Sequence, residues 1–328
     1  FSAMFFAVIS GSAAADTAAV GSILIPAMKR SGYDSDFAAS VQAAGGSIGV
    51  VIPPSIPMIV FGFLTGASIG QLFAAGLIPG ILIGLSLIVV SSIISKKNGY
   101  SSTSEFSVKE VWGTFKRSIL ALGAPIIILG GILFGIFTAT ESAAVAVIYS
   151  LIVGMFVYRK IKIRDLVPLF KNGAVTSAIV MFIIATASVF SWIAAVEDIP
   201  AKMAGTLMGM TQNPVFLLLM INAVLLIAGT FVETTAALIL FVPMIAALLP
   251  HLGIEMVQLG AIVVVNLAIG MLTPPMGICL IVSSSISEDS IAAVSRRVLP
   301  FLTILLIDLM IITYVSPCTM WLANLVAK

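Results

Sequence analysis

The chain has 328 residues, of which 60% are hydrophobic and 9% charged, with a formal net charge of +2. Soluble domains carry roughly a quarter of their residues as charges, so this composition excludes a soluble enzyme and describes an integral membrane protein. A lone His251 and two distant cysteines, Cys279 and Cys318, argue against histidine-based catalysis, a disulfide framework and a cysteine metal site.

The ten-residue alternation of membrane strands is absent, so the fold is all-helical. Fourteen of the sixteen Lys and Arg fall in five clusters: Lys29/Arg30, Lys96/Lys97, Lys109/Lys116/Arg117, Arg159 to Lys171, and Arg296/Arg297. Placing every cluster on the cytoplasmic side satisfies the positive-inside rule, which leaves little for a nucleic-acid reading. Residues 1–28 then enter and return on the cytoplasmic side, 36–66 cross outward and 70–95 cross back. Residues 105–117 read as an interfacial helix with Trp112 and Phe115 toward lipid. Segments 119–139 and 142–158 form a second pair, and 172–196 crosses outward to Glu197 and Asp198. Residues 214–250 dip in and return outside, 254–285 cross inward, and 299–326 end outside. Each long apolar stretch reaches the ~20 residues a spanning helix needs.

A pattern occurs twice. Gly11-Ser12 with Asp16 and Pro26 precedes Gly49, Pro53-Pro54 and Pro79; Gly229-Thr230 with Glu233 and Pro243 precedes Gly270, Pro274-Pro275 and Pro300. Asp16 to Pro26 and Glu233 to Pro243 are both ten residues, and the two acids read as equivalents one turn inside a returning arm. In the topology above the first hairpin opens to the cytoplasm and the second outward, so the repeats are inverted. Alignment of the copies also predicts an N-terminal region ahead of Phe1.

Each Pro-Pro removes two amide donors, freeing carbonyls around Gly49-Val50 and Gly270-Met271. Freed carbonyls beside a hydroxyl or carboxylate form an oxygen cage suited to a hard cation such as Na+. Taken singly, a Pro-Pro is a kink and an acid at a hairpin tip is a helix cap; matched copies favour a site. Gly76/Gly80/Gly84, Gly131/Gly135 and Gly205/Gly209 read as small-residue ladders for close helix packing. Asn222, Asn266 and Asp308 read as interhelical hydrogen-bonding groups.

The runs from Ser10 to Pro57 and from 229 to 277 resemble the large membrane subunit of the tripartite ATP-independent periplasmic (TRAP) transporters. The resemblance covers essentially the whole chain. It implies two re-entrant hairpins and two broken helices forming a transport domain that moves like an elevator against a scaffold. Repeat cores would lie at 1–95 and 199–328, with an interfacial helix and scaffold helices at 96–198. It further implies one sodium site at Ser10, Asp16, Gly49, Ile52 and Pro54 and another at Gly229, Thr230, Gly270, Thr273 and Pro275. Substrate would lie near Ser12, Ser47, Ser55, Thr234 and Met276. The implied setting is a bacterial inner membrane. The implied partners are a small membrane (Q-type) subunit and a periplasmic binding protein that delivers an organic acid, a sialic acid or a C4-dicarboxylate. No P-loop is present, so the drive expected is an ion gradient. The rival readings are a single-component sodium-coupled anion carrier, a passive channel, and an intramembrane hydrolase. The hydrolase would use Ser68 of Gly66-Ala67-Ser68-Ile69-Gly70, a motif that needs a strand-turn-helix and a His partner.

Overall fold

The computed structural model describes residues 2–100, 112, 113, 115 and 118–327. Among these residues every regular element is a helix and no strand occurs. Helix α1 (Ser2–Ser10) runs into a break at Gly11-Ser12, from which α2 (Ala13–Arg30) leaves. Gly11 takes a left-handed φ of 63°, which favours glycine. Helix α3 (Ser35–Ser47) tightens into a 3-10 turn at Ile48–Val50 and stops ahead of Pro53-Pro54. Helix α4 (Ile56–Thr65) restarts on Ser55, whose hydroxyl accepts the Met58 amide at 3.3 Å, and α5 (Ile69–Lys97) follows.

Next come α6 (Gly123–Leu133), α7 (Ala139–Ile152, extended by a π turn to Val157) and α8 (Ile163–Val196). The chain continues through α9 (Ile199–Met210) and α10 (Pro214–Phe231) to a break at Val232-Glu233, then α11 (Thr234–Ala246) and a short α12 (Leu249–Leu252). Helix α13 (Met256–Gly270) ends at the second Pro-Pro, and α14 (Ile278–Ser287), α15 (Ile291–Tyr314) and α16 (Pro317–Val326) complete the order. The Pro53–Pro54 and Pro274–Pro275 bonds are both cis.

Among the described residues five helices are long and apolar enough to cross a membrane: Ile69–Lys97, Ala139–Val157, Ile163–Val196, Pro214–Phe231 and Ile291–Tyr314. Several expected spans differ. The crossing expected at 299–326 is two helices, because the chain bends at Val315-Ser316 and Pro317 starts a new helix. The crossing expected at 119–139 contains a helix of only 11 residues, and the one expected at 172–196 begins nine residues earlier, at Ile163. Helix α9 was not foreseen. The interfacial helix expected at 105–117 lies, apart from Trp112, Gly113 and Phe115, outside the described residues.

The chain divides into two compact units, Phe1–Thr103 with Glu197–Lys328, and Ser104–Val196. In the second, the Tyr149 hydroxyl donates to the Leu120 carbonyl at 2.8 Å, and Thr138 and Glu141 form a capping box that starts α7. Its helix α8 exposes Val167, Phe182 and Trp192, as a lipid-facing helix does.

The first unit is built around α13, buried from Val257 to Gly270 and accordingly apolar all round. Helix α10 packs on α13, α2 on α3, and α16 on α5. The helix after each break crosses to the other half: α4 packs on α11 and α13, while α14 packs on α2 and α3. The polar groups flagged within apolar segments join helices. The Asn222 amide donates to Thr313 Oγ1 at 3.0 Å, the Asn266 amide to Asn222 Oδ1 at 2.9 Å, and Ser86 Oγ to Asp308 Oδ1 at 3.0 Å. At one end, Arg297 holds Asp36 at 2.9 Å and Asp34 at 3.0 Å.

The Gly76/Gly80/Gly84 ladder has a specific task. A Cβ at Gly76 would meet the Val51 carbonyl at 2.8 Å, one at Gly80 would meet Ile52 Cγ1 at 2.6 Å, and one at Gly84 would overlap Met4. The ladder is the seat on which the first break and α1 rest. Gly205 and Gly209, offered by spacing as a similar seat, face nothing within 4 Å. Gly80→Leu should therefore lower stability by about 1–3 kcal/mol through overpacking, while Gly205→Leu changes it little. Thermal unfolding of the two full-length variants in detergent measures the difference.

Candidate functional site

At the first break the tip of the α1–α2 hairpin meets the end of α3. Ser10 Oγ accepts the Ser12 amide at 3.1 Å and donates to Asp16 Oδ1, so one hydroxyl ties both sides of the break to the carboxylate. Asp16 lies in the first turn of α2, where the helix dipole favours an anion, and is fully buried. Its other oxygen, Oδ2, has no hydrogen-bond donor, and no ion pair reaches it among the described residues. That oxygen lies against Gly49: a Cβ there would overlap Oδ2 and meet the Ser12 carbonyl at 3.2 Å. Only a glycine lets the helix end approach the carboxylate so closely.

Pro53 and Pro54 cannot donate to the Gly49 and Val50 carbonyls. The Val50 carbonyl is recaptured by Ser55 Oγ at 2.5 Å. The hairpin tip is fastened to the far side of the break: Ile56 N donates to the Gly11 carbonyl at 3.3 Å, and a Cβ on Gly11 would lie 2.6 Å from the Pro54 carbonyl oxygen. Ser10, Asp16, Gly49 and Pro54 are thus brought together. Ile52 turns its side chain toward Gly80, which leaves its main chain as its contribution to this region.

The second break is assembled differently. Gly229 and Gly270 meet backbone to backbone; a Cβ on Gly270 would lie 2.6 Å from Gly229 Cα. The Met271 carbonyl is recaptured by Cys279 N at 3.0 Å, and the Gly270 carbonyl by Thr273 N at 2.9 Å. Thr230, Thr273 and Pro275 line one cleft of about 270 Å³, closed on its far side by Leu302 and Leu306 of α15. The hydroxyls of Thr230 and Thr273 donate to Leu226 O and Ile269 O of their own helices, which leaves their lone pairs to accept or ligate.

Of the residues assigned to substrate, Ser47, Ser55 and Thr234 are buried, and their hydroxyls are engaged with Ala44 O, Val50 O and Met271 Sδ. Ser12 is half-buried and Met276 is 55% exposed.

A family described as the tripartite ATP-independent periplasmic transporter, DctM component, matches residues 1–318. The chain belongs to this family. It is 42% identical over 322 residues to the isethionate TRAP transporter permease protein DctMQ of Oleidesulfovibrio alaskensis, covering 98% of this chain and 51% of that protein. It is 40% identical over 321 residues to the C4-dicarboxylate TRAP transporter large permease protein DctM of Pseudomonas aeruginosa, covering 98% and 75%. Over 223 residues it is 39% identical to the sialic acid TRAP transporter large permease protein SiaM of Vibrio cholerae, covering 68% and 52%. The chain thus spans about half the length of two of these relatives. Family membership and the long apolar helices together describe a multi-pass inner-membrane protein of the large-permease type.

The structure corrects one pairing read from the doubled sequence pattern. At the offset of 221 residues that relates Gly49 to Gly270 and the break at Gly11-Ser12 to that at Val232-Glu233, Glu233 corresponds to Ser12 and not to Asp16. Glu233 is the N-cap of α11, accepting the amides of Thr235 at 2.8 Å and Ala236 at 3.2 Å, and it is exposed. Asp16 is buried one turn deeper in its helix. Residues around Asp16 that the motifs did not single out also matter. Gln42 donates to the Asp16 carbonyl at 3.4 Å, and Thr17, whose hydroxyl donates to the Ala13 carbonyl at 2.8 Å, packs against Gly46. The available signal was the run of small residues from Ala43 to Ser47, which permits close approach from several sides.

A double-mutant cycle tests the contact at the first break. Gly49→Ala should cost about 1–3 kcal/mol of stability in the wild-type background and less than about 1 kcal/mol in Asp16→Ala, where the methyl has room. Strictly additive costs in thermal unfolding would show that the two groups do not touch.

Proposed function

We propose that this polypeptide is the sodium-coupled, substrate-translocating part of a TRAP permease. It imports a small organic anion delivered by a periplasmic binding protein, alongside a small membrane subunit. The observation that carries the reading is the orphan Oδ2 of buried Asp16, held against Gly49 beside carbonyls that Pro53 and Pro54 leave without amide donors. An ionised carboxylate at bilayer depth is costly without a counter-charge, and an entering Na+ supplies one. Asp16, Ser10 and the main chain of Gly49, Ile52 and Pro54 would ligate it. Binding would order the hairpin tip through Ser10 and the Gly11–Pro54 contact.

At the second break Gly229, Thr230, Gly270, Thr273 and Pro275 offer only neutral oxygens. A cation there keeps its full charge, so its binding is favoured by a nearby anion. This gives a physical reason for coupling: the carboxylate or sulfonate of the substrate supplies near the second site the charge that Asp16 supplies at the first. Ser12 and Met276 are the surface groups from which a substrate pocket would open, and parting the tips would release Ser47, Ser55 and Thr234 to it. The repeats would be inverted, residues 1–95 and 199–328 forming a transport domain that moves in elevator fashion against scaffold helices in 96–198. Relatives named for isethionate, C4-dicarboxylates and sialic acid support an anionic substrate class.

The test is uptake of radiolabelled isethionate, succinate and sialic acid into proteoliposomes holding the full-length protein and its small subunit. Uptake should require both an inward Na+ gradient and the cognate binding protein. Asp16→Asn should raise the Na+ concentration for half-maximal uptake by about ten-fold or more, the scale of one lost charge-assisted ligand. Sodium-driven uptake indifferent to the binding protein would favour a single-component carrier, and non-saturating flux would favour a channel.

A further inference from the structure

A groove of about 380 Å³ separates α5 from α15 and is lined by Val90, Ile93 and Ile94 on one side and Pro300, Thr303 and Ile307 on the other. The only hydroxyl in it, on Thr303, donates to Leu299 of its own helix at 2.9 Å, so the lining offers no free donor. Ile93 and Ile307 are 61% and 50% exposed. From Pro300 to Ile307 the groove extends about 10 Å along the helix, roughly two-thirds of one hydrocarbon leaflet. Apart from the Thr303 hydroxyl its lining is hydrocarbon throughout, the surface that an acyl chain lies against.

One end of this groove is charged. Lys97 lies three and four residues beyond Ile94 and Ile93, and Arg296 lies four residues before Pro300, so both continue the groove's face by one helical turn. Both are exposed and neither forms an ion pair among the described residues, while the adjacent Arg297 is neutralised by Asp34 and Asp36. Lys96 adds a third exposed cation at the same level. The other end, toward Val90 and Ile307, has no exposed cation; its one acid, Asp308, is buried and takes the Ser86 hydroxyl. An apolar slot of leaflet depth with a cationic rim at one mouth matches the distribution of charge in an anionic phospholipid.

We propose that the α5–α15 groove is a binding site for an anionic phospholipid, its phosphate held by Lys97 and Arg296 and one acyl chain lying between the helices. The lipid would bridge two helices from opposite halves of the sequence, beside the Ser86–Asp308 hydrogen bond that also joins them.

The test uses the full-length protein purified with its small subunit and exchanged into nanodiscs of phosphatidylcholine with or without phosphatidylglycerol. Retained lipid is then counted by native mass spectrometry after extraction. Wild-type protein should retain phosphatidylglycerol over phosphatidylcholine and melt at a higher temperature in its presence. The double variant Lys97→Ala/Arg296→Ala should retain about thirty-fold less, the scale of two juxtamembrane charges. Thr303→Trp, which fills the groove from an exposed position, should lower retention with the rim intact. Soluble glycerol phosphate should not reproduce the melting shift. Equal retention of the two lipids, or retention unchanged in both variants, would overturn the proposal. So would a melting shift given equally by glycerol phosphate, or groove protection by a helix of the intact protein that leaves no lipid bound.

Discussion

The structure depends on one constraint: backbone groups inside a membrane must find partners within the protein. Two Pro-Pro pairs delete four amide donors from helices that would otherwise satisfy their own carbonyls, and the surroundings of each break are arranged to make good the loss. At the first, Ser55 reaches back to Val50, while the hairpin tip is fastened by Ile56 N and the close approach of Gly11 to Pro54. At the second, Cys279 N and Thr273 N take over. Glycines stand wherever this re-partnering demands approach closer than a Cβ allows, at Gly11, Gly49, Gly229 and Gly270.

The breaks were legible in the sequence because proline chemistry is local. Gly49, Pro53 and Pro54 sit where their spacing says, as do Gly270, Pro274 and Pro275. The pairing of Asp16 with Glu233 failed for a physical reason. Four residues are close to one helical turn, so a slip of that size leaves both acids near a helix start and preserves the apolar pattern. Only the positions of the breaks reveal that Glu233 caps a helix while Asp16 lies a turn inside one. Spans were read well where apolar runs had no interruption, as in α5. They were misread where a single residue, Pro317, ends a crossing that hydropathy alone carries on to residue 326.

The two breaks are alike in backbone and unlike in charge. One presents a buried carboxylate, whereas the acid at the other, Glu233, is exposed and spent on capping its helix, although the same succession of helix, break and helix produces both. None of this follows from the repeat pattern itself; it follows from which residue the fold places beside each glycine. Asp16 lies against Gly49, and the Gly229 backbone lies against Gly270.

The crossing of α4 and α14 into opposite halves bears on what fixes the first break. Helix α4 precedes its partners α11 and α13 by about 170 residues and several other helices. The local fastenings of the first break, Ser55 to Val50 and Gly11 to Ile56, are all made within the first 60 residues. These bonds join residues of one short stretch, so the shape of the first break is specified without the distant helices that bury it.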